Sequence, residues 1–323
     1  MTSRRLLFVC YPDTNHPIGG VKQIYRQVEL LHRAGWDAYV LQEKPGFKAD
    51  WFKSDAPVLD LEAYKASPPS ADNDLLVLPE TWLVNLPRYL PGIPKVIFNQ
   101  NAFYSFGLSG TCDNRTLELY RHSDIQAVVT VSNDSRNLLI EGCGIPAERC
   151  FALINGIDRN LFHAPPVKHR RVAFLGRKHV DHARKVALMA SQHPRLKHLS
   201  FQELPRMQHE MVASALREAL LFLSCGHPEG FGLPLAEAIA CGCMVVGYHG
   251  LAGRDFALPH MKVVEFGDLL GLLRGVDQEL ARFDAAPEAV IQERLEASET
   301  ILQTYSLKAE LECCLRTWGH ICP

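Results

Sequence analysis

Residues 224–247 read SCGHPEGFGLPLAEAIACGCMVVG, and the reading of this stretch decides the fold. An apolar run of strand length, Ala219 to Leu223, leads into it, and the pattern breaks at Gly226, Pro228, Gly230 and Gly232. Strand, loop and helix follow in that order. Pro234 suits a first helical turn, where its missing N–H has no intrahelical partner. Leu235, Ala236, Ile239 and Ala240 supply one apolar stripe, and Gly242 is placed to cap the C-terminus. The amides of Phe231, Gly232 and Leu233 then point out of the helix N-terminus, where aligned peptide dipoles favour an anion such as a diphosphate. Two carboxylates frame that place, Glu229 in the loop and Glu237 in the first helical turn. Glu237 is suited to accept the vicinal hydroxyls of a ribose, with Glu229 closer to the reacting end. Spacing alone also fits a Glu237 that only complements the helix dipole and a Glu229 that is a solvated loop residue.

The segment EGFGLPLAEAIACGCMVV resembles the donor-site signature of retaining glycosyltransferases of the GT-B fold, specifically the GT4 family (glycosyl transferases group 1) with its E-x7-E motif. The resemblance implies an α/β protein of two Rossmann-like domains whose parallel sheets face each other across a cleft, with domain closure excluding water. It further implies that Phe231, Gly232 and Leu233 hold a donor diphosphate through backbone amides, that Glu237 takes the ribose hydroxyls, and that Glu229 sits by the transferred sugar.

Length and composition agree with that class. A chain of 323 residues suggests two domains of about 150 residues each. Hydrophobic residues at 47% and charged residues at 22% are ordinary globular values, and a net charge of -2 gives no reason to expect a nucleic-acid partner. The ten cysteines form no C-x-x-C pair, and Met1 to Arg5 leads straight into a strand, so the expectation is reduced thiols in a cytoplasmic protein. No apolar run approaches the ~20 residues that cross a bilayer, so any membrane association, at the inner face, is expected to be peripheral.

In chain order, Leu6 to Cys10 reads as a strand, followed by a loop that ends in Gly19-Gly20 and a helix with Val21, Ile24, Val28 and Leu31 on one side and Lys22, Arg26 and Gln27 on the other. The glycine pair serves either a close approach to phosphate or sugar or simply a tight turn. The resemblance, with its cleft-facing glycine-rich loop, makes Gly19 and Gly20 donor-binding candidates. Further strands at Asp37–Gln42, Asp74–Leu78, Lys95–Phe98 and Ala127–Ser132 alternate with helical or irregular pieces, as in a parallel sheet. Asp72-Asn73-Asp74 imitates a DxD metal motif but reads as a polar turn before a strand, and no metal is expected. Asn99 to Phe106 lies at a strand's carboxyl end; where the family carries a histidine this chain has Asn99, Gln100 and Asn101. Asn101 and the loop residue His16 are therefore acceptor-side candidates. A helix over Asn133 to Glu141 has Ser132 as N-cap.

FALINGIDRNLF, residues 151–162, resembles the family's segment before its interdomain linker, and Asn155-Gly156 is a turn signal. The expected division is residues 1–163 for the acceptor, 164–305 for the nucleotide sugar, and 306–323 as a helix crossing back to the first domain. The second domain opens with a strand, Arg171 to Leu175, ended by Gly176, and then Arg177 and Lys178. A departing nucleoside diphosphate gains negative charge, and a metal-free site meets it with Arg, Lys and helix amides. Arg177 is thus a catalytic candidate beside Glu229, with Lys178 as a further donor contact. Lys185 does not match the family's spacing. In YHGLAGRDF, residues 248–256, Arg254 is a second phosphate or acceptor candidate, with a plain surface arginine as the rival reading.

The function implied is retaining, metal-independent transfer of a hexosyl-type sugar from a nucleoside-diphosphate sugar to a hydroxyl of a glycan or lipid-linked acceptor, in bacterial polysaccharide or glycoconjugate synthesis, without a cofactor. The rivals are a nucleotide-sugar epimerase or hydrolase of related fold and a non-catalytic nucleotide-binding module. A dehydrogenase is disfavoured because no G-x-G-x-x-G follows the first strand.

Overall fold

Apolar runs bounded by turn residues become parallel strands in the computed structural model, which describes residues 4–11, 13, 18–107, 114–205 and 207–323. Two compact units result, Met1–Ile154 with Glu310–Pro323, and Asn155–Ala309. The first holds β1 (Arg5–Val9), β2 (Ala38–Leu41), β3 (Val58–Leu59), β4 (Asp74–Pro79), β5 (Lys95–Asn99), β6 (Ile125–Thr130) and β7 (Cys150–Ala152), with helices α1 (Gly19–Arg33), α2 (Leu61–Ala66), α3 (Asn114–Leu119) and α4 (Asn133–Asn137). The second holds β8 (His169–Leu175), β9 (Ser200–Leu204), β10 (Ala219–Ser224), β11 (Met244–Gly247) and β12 (Met261–Val263), with α5 (Val180–Gln192), α6 (His209–Glu218), α7 (Leu233–Ala240), α8 (Leu269–Ala285) and α9 (Pro287–Thr304). Helix α10 (Leu307–Ile321) ends the chain, and its residues from Glu310 onward belong to the first unit.

The sheets run β3-β2-β1-β4-β5-β6-β7 and β12-β11-β10-β8-β9. Strand order reverses between β1 and β4 in one and between β8 and β10 in the other, and in open α/β sheets ligands bind beyond the carboxyl ends at such reversals. Asp74, last residue of the DxD look-alike, is bound by Arg5 Nε at 2.6 Å and accepts the Ser70 amide at 2.7 Å, both structural contacts.

Two readings need correction and one gains a reason. Gln27 stands on the polar side of α1 with Lys22 and Arg26, yet it is 1% exposed, because α10 returns over that side. Trp318 Nε1 donates to Gln27 Oε1 at 3.3 Å, Arg26 Nε meets Glu310 Oε2 at 2.9 Å, and the Trp318 ring meets Phe8 edge-on at 5.2 Å. Asn155-Gly156 is not a turn: the chain runs on to Ile157, whose N–H bonds the Tyr305 carbonyl at 2.7 Å. The turn comes at Asp158, whose carbonyl accepts the Leu161 and Phe162 amides. The helix expected over 133–141 starts as predicted, with Ser132 Oγ accepting the Ser135 N–H, but widens into a π turn over Leu138–Gly142.

Glu80 follows β4 directly, is 6% exposed, and accepts the Gln100 N–H at 3.1 Å. Burial pushes its carboxyl up to about 7. An acid whose pKa rises on folding stabilises the fold while both states are protonated, and that contribution is lost as pH climbs from the ordinary carboxyl range through about 7. Glu80→Gln is therefore expected to flatten the pH dependence of urea unfolding over that interval, gaining up to roughly 3 kcal/mol on the wild type above it. Parallel profiles for the two proteins would mean Glu80 stays ionised when folded.

Candidate functional site

At the β8/β10 reversal a pocket, partly open to solvent, lies at the strands' carboxyl ends. Leu175 and Leu223 lie at its base, and Arg177, Lys178, Glu229, Gly232 and Gly250 border it. Glu229 is fixed twice. Its N–H donates to the Gly250 carbonyl at 2.8 Å, and its Oε2 takes Lys178 Nζ at 2.9 Å, while Nζ also donates to the Pro228 carbonyl at 2.6 Å. Both side chains are half-buried, so the pair is less screened than a surface ion pair.

Glycine makes this packing possible. A Cβ at Gly226 would lie 2.8 Å from Glu229 Oε1, and one at Gly250 would lie 3.1 Å from Glu229 Cγ. Leu251 carries φ +74° and ψ -66°, a conformation that costs a branched residue about 1–3 kcal/mol and that clusters at functional sites. Its N–H donates to His249 Nδ1 at 3.0 Å.

Gly232 is the N-cap of α7 at φ +93°, and the helical ladder begins with the Leu235 and Ala236 amides on its carbonyl. The Leu233 amide precedes that ladder. Phe231 is buried, with its ring 5.1 Å from Phe256 and 5.2 Å from Tyr305, so any ligand role falls to its backbone. Glu237 is not in the first turn. Because α7 starts at Leu233, Glu237 is its fifth residue, 7% exposed and hydrogen-bonded through Oε1 to His209 Nε2 at 2.8 Å. Nor is the apolar surface of α7 a stripe: every residue from Leu235 to Ala240 is buried, since α6, α9 and β11 pack around it.

The structure thus brings Arg177, Lys178, Glu229 and Gly232 to one cavity, while Phe231, Leu233, Glu237 and Arg254 do not line it. Arg177 and Arg254 are both exposed, the latter on a 3-10 turn, Ala252–Asp255. Lys185 pairs with Asp181 at 2.9 Å. Gly19, Gly20 and Asn101 belong to the first unit. Neither glycine has a positive φ, so turn conformation does not require them. Gly19 has open space where a side chain would stand, and Gly20 brings the start of α1 against Gln100, whose Nε2 donates to the Gly20 carbonyl at 3.0 Å. Asn101 caps the 3-10 helix Ala102–Phe106 by accepting the Phe103 N–H, and buried Asn99 donates to Ser105 and Tyr120 hydroxyls. His16 lies outside the described residues.

Sequence reasoning passed over a ring cluster beside the cavity. His227 stacks on Phe266 at 4.3 Å, His179 Nε2 bonds the His227 carbonyl at 2.9 Å, and His182 Nδ1 meets the Tyr248 hydroxyl at 2.9 Å. Burial, then the nearby His179, His249 and Lys178, hold His227 below the usual imidazole range. The signal was present: histidines follow the ends of two neighbouring strands, in GRKHVDH and CGHPEG.

Over almost its whole length the chain has the GT-B fold. It superposes on sucrose-phosphate synthase from Thermosynechococcus elongatus with a TM-score of 0.73 at 16% identity, covering 98% of this chain and 99% of that one. HepE from Anabaena, in complex with UDP-glucose, gives 0.74 at 15% identity with the same coverage. A glycosyltransferase from Rickettsia africae gives 0.68 at 15% identity, covering 99% of each chain. No family model matches the sequence, and no curated protein matches it.

Gly247 is the backbone position on which the site's geometry turns. It holds φ +132°, and a Cβ there would stand well inside van der Waals contact distance of the Ser224 carbonyl oxygen. Gly247→Ala is expected to cost more than about 3 kcal/mol in urea unfolding. A loss under about 1 kcal/mol would show that the β10 and β11 ends can separate without penalty.

Proposed function

We propose that this chain is a retaining glycosyltransferase of the GT4 type, moving a sugar from a nucleoside diphosphate to an acceptor hydroxyl in bacterial polysaccharide or glycoconjugate synthesis. The observation that carries the reading is the meeting, at the β8/β10 reversal, of the glycine-opened start of α7 with Arg177 and the Lys178–Glu229 pair. The fold shared with HepE, a protein seen with UDP-glucose, supports a nucleotide-sugar donor.

In this reading the diphosphate lies against the Gly232–Leu233 amides and the two cations. An ammonium has three donors. Lys178 uses two on Pro228 and Glu229 and directs the third at a phosphate oxygen. As the glycosidic bond breaks, charge on the leaving diphosphate is met by fixed donors and the helix dipole, so transfer needs no metal ion. Glu229 borders the sugar. Glu237 takes the ribose hydroxyls, sharing or exchanging its contact with His209. The first unit receives the acceptor, a glycan or lipid-linked hydroxyl, with Asn101 on the acceptor side and Gly19 and Gly20 toward the donor. Among the described residues no helix is long and apolar enough to cross a membrane. The expected setting is the cytoplasm, with peripheral contact at the inner membrane face where the acceptor is lipid-linked.

The test is a donor panel screened by thermal shift, followed by product mass and anomeric NMR with accepted donors. Glu229→Gln and Arg177→Ala should each lower kcat by about 100-fold or more, Glu237→Ala should raise the donor KM, and chelator should leave the rate unchanged. Full turnover of donor without acceptor would assign a hydrolase or epimerase. Nucleotide binding with no turnover of any donor would assign a binding module, and undiminished transfer by both glutamate variants would remove the site.

A further inference from the structure

We propose that His179, Asp181 and His182 form a site for one divalent transition-metal ion of the zinc class. Their ligand atoms all lie within 4.8 Å of one another. Tetrahedral ligands on metal bonds of about 2.1 Å stand about 3.4 Å apart, so the widest of the three separations closes by up to roughly 1.4 Å on binding. His179 caps α5 at φ +53° and ψ +32°, a left-handed conformation uncommon outside glycine, and the i, i+3 spacing turns its ring toward that of His182, with centroids 5.3 Å apart.

Hydrogen bonds orient both rings for this role. The His227 carbonyl can only accept, so His179 Nε2 carries a proton and Nδ1 the lone pair. His182 Nδ1 faces the Tyr248 hydroxyl, which also accepts the Gly267 N–H at 3.1 Å. With its proton on Nδ1, His182 presents Nε2 toward Asp181 Oδ2, now 4.0 Å away. An outer partner on the second ring nitrogen is what sets the tautomer of metal-bound histidine. Two imidazoles and one carboxylate select zinc, cobalt or nickel over magnesium or calcium, which take oxygen ligands, and leave a fourth position for water.

Two charges oppose the ion. Lys185 holds Asp181 Oδ2 at 2.9 Å and must yield or leave the other oxygen to the metal, and the positive end of the α5 dipole disfavours a cation that the Asp181 charge attracts. The ion supplies no step of sugar transfer. Its effect is confined to the start of α5, because the bond from His179 to the His227 carbonyl is made without the ion.

The experiment is zinc calorimetry on the full chain, free of any polyhistidine tag and stripped with chelator, with cobalt(II) absorption as a second readout. One zinc per chain is expected. Affinity should fall about 100-fold in His179→Ala and His182→Ala and at least about 10-fold in Asp181→Asn. The cobalt form should show nitrogen/oxygen ligand-field bands without the thiolate charge-transfer band that cysteine ligation would give. Should His182→Ala unfold through loss of its Tyr248 contact, Asp181→Asn and His179→Ala still decide the matter. Absence of binding, unchanged affinity in those two variants, or a thiolate band would each overturn the site.

Discussion

Where β10 and β11 end side by side, the Ser224 carbonyl occupies space that any side chain at residue 247 would need. That closeness lets Tyr248 N–H bond the Ser224 carbonyl at 2.8 Å and Ser224 Oγ donate to the Tyr248 carbonyl at 2.8 Å, so the two outgoing loops are joined at their roots. They stay joined. A few residues on, the Glu229 amide rests on the Gly250 carbonyl, and Gly226 and Gly250 leave room for its side chain. Lys178, from the end of β8, then fixes the carboxylate itself. Three strand ends thus converge on one acidic group, and a group positioned by strands is held more tightly than one positioned by a free loop.

The helix whose N-terminus opens beside this group is equally constrained. Helix α7 is buried over its last six residues, and Ser298 Oγ donates to the Ala240 carbonyl at its C-terminal end. At the base of the same layer Lys168 Nζ gathers the carbonyls of Leu216, Arg217 and Ala219 at 2.9, 3.1 and 2.8 Å, closing the end of α6 onto β10. A dipole held in a packed helix needs no reorganisation when charge develops before it, which is the condition for electrostatic stabilisation to be effective. The strained backbone of Leu251 lies on the loop that carries Gly250, so local strain is tolerated where the surrounding bonds over-determine the conformation.

Local chemistry was legible in the sequence, and tertiary cover was not. The strand, the glycine loop and the helix start over residues 219–240 follow from apolar run length, Pro234 and Gly232, all short-range signals. Glu237 was misplaced by one residue, out of the first turn, because placing Pro234 in that turn does not say whether it is the first or second residue, and a helix from Leu233 carries Glu237 inward to His209. The burial of Gln27 was not legible because its cover comes from Trp318, 291 residues away, and periodicity within α1 holds no trace of it. The histidine cluster escaped for a related reason. His179 and His227 are joined only because β8 and β10, separated in the chain by β9 and two helices, are neighbours in the sheet.

The Lys178–Glu229 pair explains how a carboxylate can stand where a diphosphate is expected. Two like charges about 4 Å apart repel by about 4 kcal/mol at the effective dielectric of a partly exposed site, enough to weaken anion binding nearly a thousandfold. An ammonium 2.9 Å from Oε2 offsets most of that repulsion without removing the oxygen from the cavity. Lysine suits the task better than arginine would. Its compact charge can bond the Pro228 carbonyl, the Glu229 carboxylate and a phosphate oxygen in three directions at once, whereas a planar guanidinium would commit to the carboxylate in a bidentate pair. The same residue therefore neutralises the acid, anchors its loop and retains a donor for an anion, which is what the proposed placing of a sugar beside Glu229 and of phosphates against α7 requires.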